Sequence, residues 1–114
     1  MFKKTHSFNE RYQGSLRLLQ KYPDRIPIIV EKKYKKKNLK KLTKNKLLVP
    51  KELTIGQLVY IIKKKIDIKP EEAIFLFINN KLPVVTDRII DTYSMNKDKD
   101  GYLYVTYFNE NTFG

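Results

Sequence analysis

The sequence contains no cysteine and a single histidine, His6, among its 114 residues. It therefore offers no disulfide, no thiol nucleophile and no thiolate metal site, and one histidine cannot by itself build a metal site. No apolar run approaches the ~20 residues that span a bilayer, and the N-terminal MFKKTHSFNE lacks the apolar stretch of a secretory signal. We expect a soluble, intracellular protein with no metal, no cofactor and no catalytic residues.

Positive charge is what the sequence has in excess, with a formal net charge of +12 at pH 7. Residues 31–46 hold nine lysines and one glutamate, so this segment carries +8 and the rest of the chain +4. A local basic patch suits an acidic peptide, an anionic lipid or nucleic acid, and a solvated loop is the simpler interpretation. Nucleic acid is disfavoured as the primary partner, because stacking needs exposed rings beside the charge and Tyr34 is the only ring in this segment.

A capping box formed by Ser7 and Glu10 predicts a helix from about Phe8 to Lys21. An apolar stripe at helical spacing should face the core, and it comprises Phe8, Tyr12, Ser15 or Leu16, and Leu19. Leu18 lies off this stripe. The Tyr-Pro dipeptide that follows should end the helix, because the residue before proline avoids the helical region.

The clearest helical pattern lies in LTIGQLVYIIKKKI, residues 53–66, where Thr54 and Gln57 form a second capping box. Its apolar positions recur at helical spacing and predict one buried face, made of Ile55, Leu58, Val59, Ile62 and Ile66. Ile61 lies off that face.

Runs of β-branched and aromatic residues predict four strands, at about 26–33, 46–50, 74–79 and 102–108. Pro27 indicates an irregular start for the first strand rather than a central position. The last strand is apolar or aromatic on both faces, which is typical of a central strand. A turn at Asn79-Asn80, a short helix in TDRIIDTYS capped by Thr86 or Asp87, and a turn in KDKDG complete the pattern.

The order helix, β, β, helix, β, short helix, β is that of a β-grasp fold. A helix should pack on one face of a mixed four-stranded sheet, and the extra first helix should lie on the other face. The strand KLLVP should alternate, with Lys46 and Leu48 on one side and Leu47 and Val49 on the other.

The chain resembles the autophagy ubiquitin-like modifiers, the family that includes the GABA-receptor-associated protein. The segments that carry the resemblance, in order, are KYPDRIPIIVEK, LLVPKELTIGQL, IFLFINNKLP, KDGYLYVTY and ENTFG. The resemblance implies an α+β, ubiquitin-like β-grasp fold in a single domain, 1–114. We expect an N-terminal helical extension over 1–24, the β-grasp core over 25–108 and a flexible C-terminal tail over 109–114.

The resemblance implies that Gly114 is the working end of a non-enzymatic tag. Activating and conjugating enzymes would join its carboxylate to phosphatidylethanolamine, a cysteine protease would process or release it, and Phe113 would be the apolar grip for those enzymes. Whether Gly114 is the natural end of the chain, ready for conjugation, or the given sequence has been cut there stays open. The modifier would move from the cytoplasm to autophagosome and other vesicle membranes. A ubiquitin-like adaptor that is never conjugated is the alternative.

The resemblance also implies that cargo receptors bind through a short aromatic-x-x-aliphatic motif added to the edge of the second strand. The implied aromatic pocket comprises Leu18, Pro27, Lys46, Leu48 and Tyr102. The implied aliphatic pocket comprises Leu47, Val49, Pro50, Leu53, Leu58 and Ile61. Acidic residues beside the motif would meet Arg25, Lys44 and Lys65.

The chain departs from the family pattern at these pockets. Gly14 stands where relatives often carry glutamate, and Leu47 and Leu58 stand where they often carry aromatic residues. Segment 31–46 is also more basic than usual, which predicts a preference for acidic ligands or anionic lipid and a marked salt dependence.

Two acidic groupings have simpler explanations than chemistry. NKDKDG is similar to the start of a calcium loop, but Tyr107 stands at the twelfth position, where a bidentate glutamate is needed. Asp67, Glu71 and Glu72 have no histidine partner and follow a helix end, so capping and solvation account for them.

Overall fold

The computed structural model describes residues 1–33, 45–69 and 71–109. In chain order its helices and strands are α1 Phe2–Thr5, α2 Phe8–Lys21, β1 Arg25–Lys32, β2 Lys46–Pro50, α3 Ile55–Lys65, β3 Ile74–Phe77, α4 Ile89–Asn96 and β4 Leu103–Asn109. Most of the predicted basic loop and nearly all of the predicted tail lie outside the described residues. The division of the chain at 24/25 and 108/109 stays a prediction.

Within the described ranges the strands form one mixed sheet in the order β2-β1-β4-β3. β1 runs antiparallel to β2 and parallel to β4, and β3 runs antiparallel to β4. With α3 connecting the β1–β2 pair to β3, this is the predicted α+β β-grasp arrangement.

The main core lies between the sheet and α3. The α3 N-terminus has the predicted capping box, in which Gln57 N–H donates to the Thr54 hydroxyl and the Gln57 side chain accepts from Thr54 N–H. The predicted inward face is confirmed, because Ile55, Leu58 and Ile62 are buried on α3. Full burial of one such side chain contributes about 1.5–3 kcal/mol.

The inward face of α2 differs from the predicted apolar stripe. The bounds and the Ser7–Glu10 capping box are confirmed, but Phe8 and Tyr12 are about half exposed and stack on each other at a ring-centroid distance of 6.0 Å. Of the predicted stripe, Ser15 is buried, as one of its two alternatives had it. The residues of α2 that face the sheet also recur at helical spacing, but most of them are polar or small. They are Arg11, Gly14, Ser15 and Leu18.

A buried carboxylate explains that polar face. Asp100 is fully buried and accepts a hydrogen bond from the Arg11 guanidinium at 2.8 Å. The Tyr104 hydroxyl donates to the same carboxylate, and the Ser15 hydroxyl donates to the Asp100 carbonyl oxygen. Ion pairing and hydrogen bonds therefore hold α2 on the sheet where an apolar stripe was expected. For this reason hydrophobic periodicity predicted Ser15 correctly but placed Phe8 and Tyr12 on the inward face wrongly.

The prediction that Pro27 keeps its strand out of a central position is wrong. β1 lies between β2 and β4 in the sheet, and Pro27 is buried within it opposite Leu48. The parallel pairing with β4 starts one position later, at Ile28. Proline is tolerated here because it precedes the two-sided part of the strand, so the irregular start itself fits.

Three local features complete the comparison with the sequence. Asn79 and Asn80 have φ values of 52° and 61°, and asparagine tolerates this left-handed region better than most residues, so the turn is confirmed. The cap of α4 was predicted wrongly: Arg88 occupies the N-cap position without a side-chain cap bond. The short helix α1 was not predicted at all.

Candidate functional site

Strand β2 forms one edge of the sheet as the structure describes it. An edge strand presents backbone N–H and C=O groups that an added strand can pair with. Its side chains alternate as predicted, since Leu47 and Val49 are buried in the main core while Lys46 is exposed and Leu48 half-buried on the opposite side. Side chains of β2 are therefore present on both faces of the sheet along this edge.

On the α2 side, Leu48 lies opposite Pro27 on the neighbouring strand. Leu18 packs against a small cluster formed by Phe2, Ile29 and Tyr102. The predicted aromatic-pocket residues therefore lie on or beside one face of the sheet, next to the β2 edge.

The ammonium group of Lys46 lies over two aromatic rings on this side of the sheet. Its ammonium nitrogen lies 5.5 Å from the centroid of the Phe2 ring and 5.7 Å from that of Tyr102. Both distances fall within cation–π range. A long lysine side chain can pack its stem on apolar surface while its ammonium stays in water, so Lys46 can lie over the rings and still be exposed.

Phe2 is the functional candidate that the sequence reasoning missed. Its ring is buried, stacks on His6 at 4.4 Å and meets Tyr102 edge to face at 5.4 Å. Its backbone N–H donates to the Glu31 carboxylate at 2.8 Å. A four-residue helix is too short to show periodicity, so an aromatic residue near the N-terminus was the only available signal.

A cavity of about 370 Å³ opens beside these rings. It is lined by Phe2, His6, Asn9, Glu10, Gln13, Gly14, Arg17, Lys46 and Tyr102. Among the predicted aromatic-pocket residues, Lys46 and Tyr102 line it, whereas Leu18, Pro27 and Leu48 do not. The cavity wall therefore comes largely from α2 and is more polar than the sequence suggested.

The Tyr102 ring forms the buried side of this cavity. The ring is fully buried, and its hydroxyl has no hydrogen-bond partner among the described residues. Burial raises the pKa of Tyr102 above its ordinary value, and the nearby charge of Asp100 acts in the same direction. The hydroxyl is therefore neutral at physiological pH and can donate or accept one hydrogen bond.

On the α3 side, the predicted aliphatic pocket divides into floor and surface. Leu47, Val49 and Leu58 are buried members of the main core. Leu53 and Ile61 are half-buried and Pro50 is exposed. The second set is therefore accessible from the surface, whereas the first set belongs to the interior.

The predicted acidic-ligand contacts are only partly described. Arg25 begins β1 opposite Pro50 and is exposed, so it lies beside the end of β2. Lys65 is the exposed last residue of α3. Lys44, Phe113 and Gly114 lie outside the described residues.

The acidic turn after α4 serves the packing of α1 and α2. Burial tends to raise the pKa of Asp98, but the hydrogen bond from Lys3 at 2.6 Å and one from the Asp100 backbone N–H together lower it.

In the described ranges no cluster of three or more candidate metal ligands occurs. Nor does any helix there have the length and apolar character needed to cross a membrane.

The fold and the β2 edge together define a ubiquitin-like β-grasp protein, and comparison with known proteins shows the family to which it belongs. The family model described as "Autophagy protein Atg8 ubiquitin like" matches residues 10–114. The chain belongs to this family. It is therefore an autophagy-related ubiquitin-like modifier rather than an enzyme.

Individual relatives agree over nearly the full length. The chain is 48% identical over 113 residues to Autophagy-related protein 8 of Mycosarcoma maydis, covering 99% of this chain and 95% of that protein. It is 46% identical over 114 residues to Autophagy-related protein 8e of Arabidopsis thaliana, covering 100% of this chain and 93% of that one.

Solved structures show the same fold. The crystal structure of Trypanosoma brucei ATG8 matches with a TM-score of 0.91 at 36% identity, covering 96% of this chain and 93% of that chain. Plasmodium falciparum Atg8 in complex with a Plasmodium falciparum Atg3 peptide matches with a TM-score of 0.86 at 33% identity, covering 95% and 94% respectively. The second structure is a family member with a peptide bound.

Proposed function

We propose that this chain is conjugated through the carboxylate of Gly114 to the amine of phosphatidylethanolamine. The observation that carries the proposal is family membership, with a match that extends through Gly114. Glycine has no Cβ, so its carboxyl group can enter a narrow channel and be attacked without crowding. Phe113 is proposed as the apolar grip for the enzymes.

The proposed chemistry proceeds in three steps on the tail. ATP converts the carboxylate to an acyl-adenylate with loss of pyrophosphate, and an enzyme thiolate then displaces AMP to form a thioester. The lipid amine attacks the thioester carbonyl and releases the thiol, which leaves an amide. The partners are activating and conjugating enzymes and a deconjugating cysteine protease. The Atg3 peptide bound to the Plasmodium falciparum relative supports binding to the conjugating enzyme.

The test is intact-mass analysis after incubation with the family's enzymes, ATP and phosphatidylethanolamine liposomes. We expect a gain of one lipid mass that is lost in Gly114→Ala. No gain with enzymes that lipidate a relative in parallel would leave the alternative, an unconjugated adaptor. In cells, the untagged chain should move from cytoplasm to autophagosome membranes on starvation, and Gly114→Ala should stay diffuse.

We further propose that the β2 edge binds aromatic-x-x-aliphatic motifs of cargo receptors. The motif would pair with the β2 backbone, place its aromatic side chain beside Lys46 and Tyr102, and place its aliphatic side chain on Leu53 and Ile61. The alternating faces of β2 support this, because successive ligand side chains also point to opposite sides of a strand.

Binding of an acidic motif peptide should weaken with added salt. Arg25, Lys65 and the basic segment 31–46 would attract it, and exposed charges are screened beyond about 10 Å at 0.1 M salt. Titrations at low and high salt measure the effect, and equal affinities would exclude a role for this charge.

A further inference from the structure

The Tyr102 hydroxyl is an orphan polar group inside the protein. The residue is fully buried, and the oxygen finds no hydrogen-bond partner in the described part of the chain. Buried side-chain polar atoms in native proteins nearly always have one. A phenylalanine at this position would fill the same core without that penalty, so the hydroxyl calls for an explanation.

Space for the hydroxyl is provided by a glycine on the facing helix. A Cβ atom at Gly14 would lie 2.9 Å from the Tyr102 hydroxyl oxygen, closer than real Cβ atoms approach such a neighbour. Glycine also weakens a helix interior relative to alanine. Gly14 and Tyr102 therefore form a matched pair: α2 has no side chain at the position where the Tyr102 hydroxyl lies.

The matched pair lies at the wall of the cavity described above. Gly14 and Tyr102 both line it, together with the exposed Lys46, whose ammonium group lies 5.7 Å from the Tyr102 ring centroid. The volume of about 370 Å³ is within the range of sites for small organic groups. The hydroxyl is shielded from water, so a ligand ring would have to displace a wall side chain to reach it, and the exposed Lys46 is the candidate for that displacement.

We propose that the Tyr102 hydroxyl is a specificity-determining group that accepts a hydrogen bond from the indole N–H of a tryptophan in the bound motif. This inference rests on the proposed binding of aromatic-x-x-aliphatic peptides. A bound phenylalanine would leave the hydroxyl unpaired, and a site with an unpaired buried polar group discriminates against the ligand that lacks its partner. Gly14 acts as the positioning residue, because it lets the hydroxyl occupy this wall.

The test compares two acidic-flanked peptides that differ in one atom group. One carries tryptophan at the aromatic position, and the other carries 3-benzothienylalanine, in which sulfur replaces the indole N–H at nearly the same shape. Calorimetric titrations use the full chain and its Tyr102→Phe variant. The full chain should prefer tryptophan about 3- to 10-fold, as expected for one net hydrogen bond, and the preference should fall to near one in Tyr102→Phe.

Controls separate the possible failures. Tyr12→Phe removes an exposed hydroxyl from α2 and should keep the tryptophan preference. Equal preference in the full chain and in Tyr102→Phe would overturn the role of the hydroxyl, with peptide binding intact. If neither peptide binds the full chain, the proposed peptide-binding function itself fails. The two-peptide comparison in the unmodified chain needs no variant to fold.

Discussion

The two faces of the sheet are closed by different chemistry. Under α3 the contacts are aliphatic, with Ile55, Leu58 and Ile62 buried against the strands. Under α2 they are aromatic and ionic, with Asp100 buried beneath the helix and paired with Arg11. When a helix packs through apolar contacts, its inward face can be predicted from the hydrophobic periodicity of the sequence. When it packs through ion pairs and hydrogen bonds, that periodicity does not identify the inward face.

The largest effect is expected on the aliphatic face. Ile62→Ala removes a fully buried side chain from the main core and should lower the free energy of unfolding by about 2–5 kcal/mol, through lost burial and the cavity left behind. Urea denaturation measures it. Tyr60→Ala, at an exposed position of the same helix, should change it by no more than about 0.5 kcal/mol. Equal losses in the two variants would refute this account of the face.

On the ionic face, Asp100→Ala should cost about 2–3 kcal/mol, because the buried Tyr102 N–H and the Tyr104 hydroxyl lose their acceptor. Hydrogen exchange at low denaturant should show that α2 amides lose more protection than α3 amides, because α2 opens locally before the core unfolds. Asp91→Ala, which removes an exposed carboxylate paired with Arg88, should leave both helices protected. Unchanged protection of α2 in Asp100→Ala would mean that the ion pair does not anchor the helix.

The Gly14–Tyr102 contact predicts a non-additive pair of substitutions. Gly14→Ala should lower stability by about 1 kcal/mol despite the better helix propensity of alanine, since the new methyl group meets the Tyr102 hydroxyl. Tyr102→Phe should be neutral or slightly stabilising. The double variant should recover the loss, with a coupling of about 1–2 kcal/mol in a double-mutant cycle. Additive effects would show that the helix shifts to accommodate the methyl group.

The smallest effect concerns the partly exposed pair of Lys3 and Asp98, which links α1 to the turn before β4. Its hydrogen bonds lower the folded-state pKa of Asp98, so the stabilisation is present above the unfolded pKa, about 3.9. It is lost as pH falls through the folded value. Asp98→Asn should cost less than about 1 kcal/mol at pH 7, and the difference from the unmodified chain should shrink as the pH falls below the unfolded pKa and through the folded-state value. A cost that does not change as the pH is lowered would rule out the charged pair as its source.

Sequence patterns were sufficient where local chemistry decides the structure. Capping boxes at Ser7 and Thr54 located two helix starts, because the cap and its partner lie within one turn. Alternation in β2 assigned Lys46 and Leu47 to opposite faces of the sheet. Family resemblance then supplied the candidate pockets, which no periodicity could have shown.

Other features required contacts between distant parts of the chain. The role of Asp100 depends on a partner 89 positions away in sequence, and Phe2 is buried in a cluster with Ile29 and Tyr102, which are distant in sequence. In the candidate site, these long-range contacts determined that α2 lines the cavity and that Leu18, Pro27 and Leu48 do not.

By itself, the sequence determined the β-grasp order, the helix starts and the inward face of α3, because those depend on spacing within a segment. Tertiary structure alone decided which side of α2 faces the sheet, where Phe2 lies and how Gly14 meets Tyr102. The physical reason is that burial of an apolar face requires apolar residues at regular intervals, which produces a periodic pattern in the sequence. A single buried ion pair or a single close contact involves one residue pair and produces no such pattern.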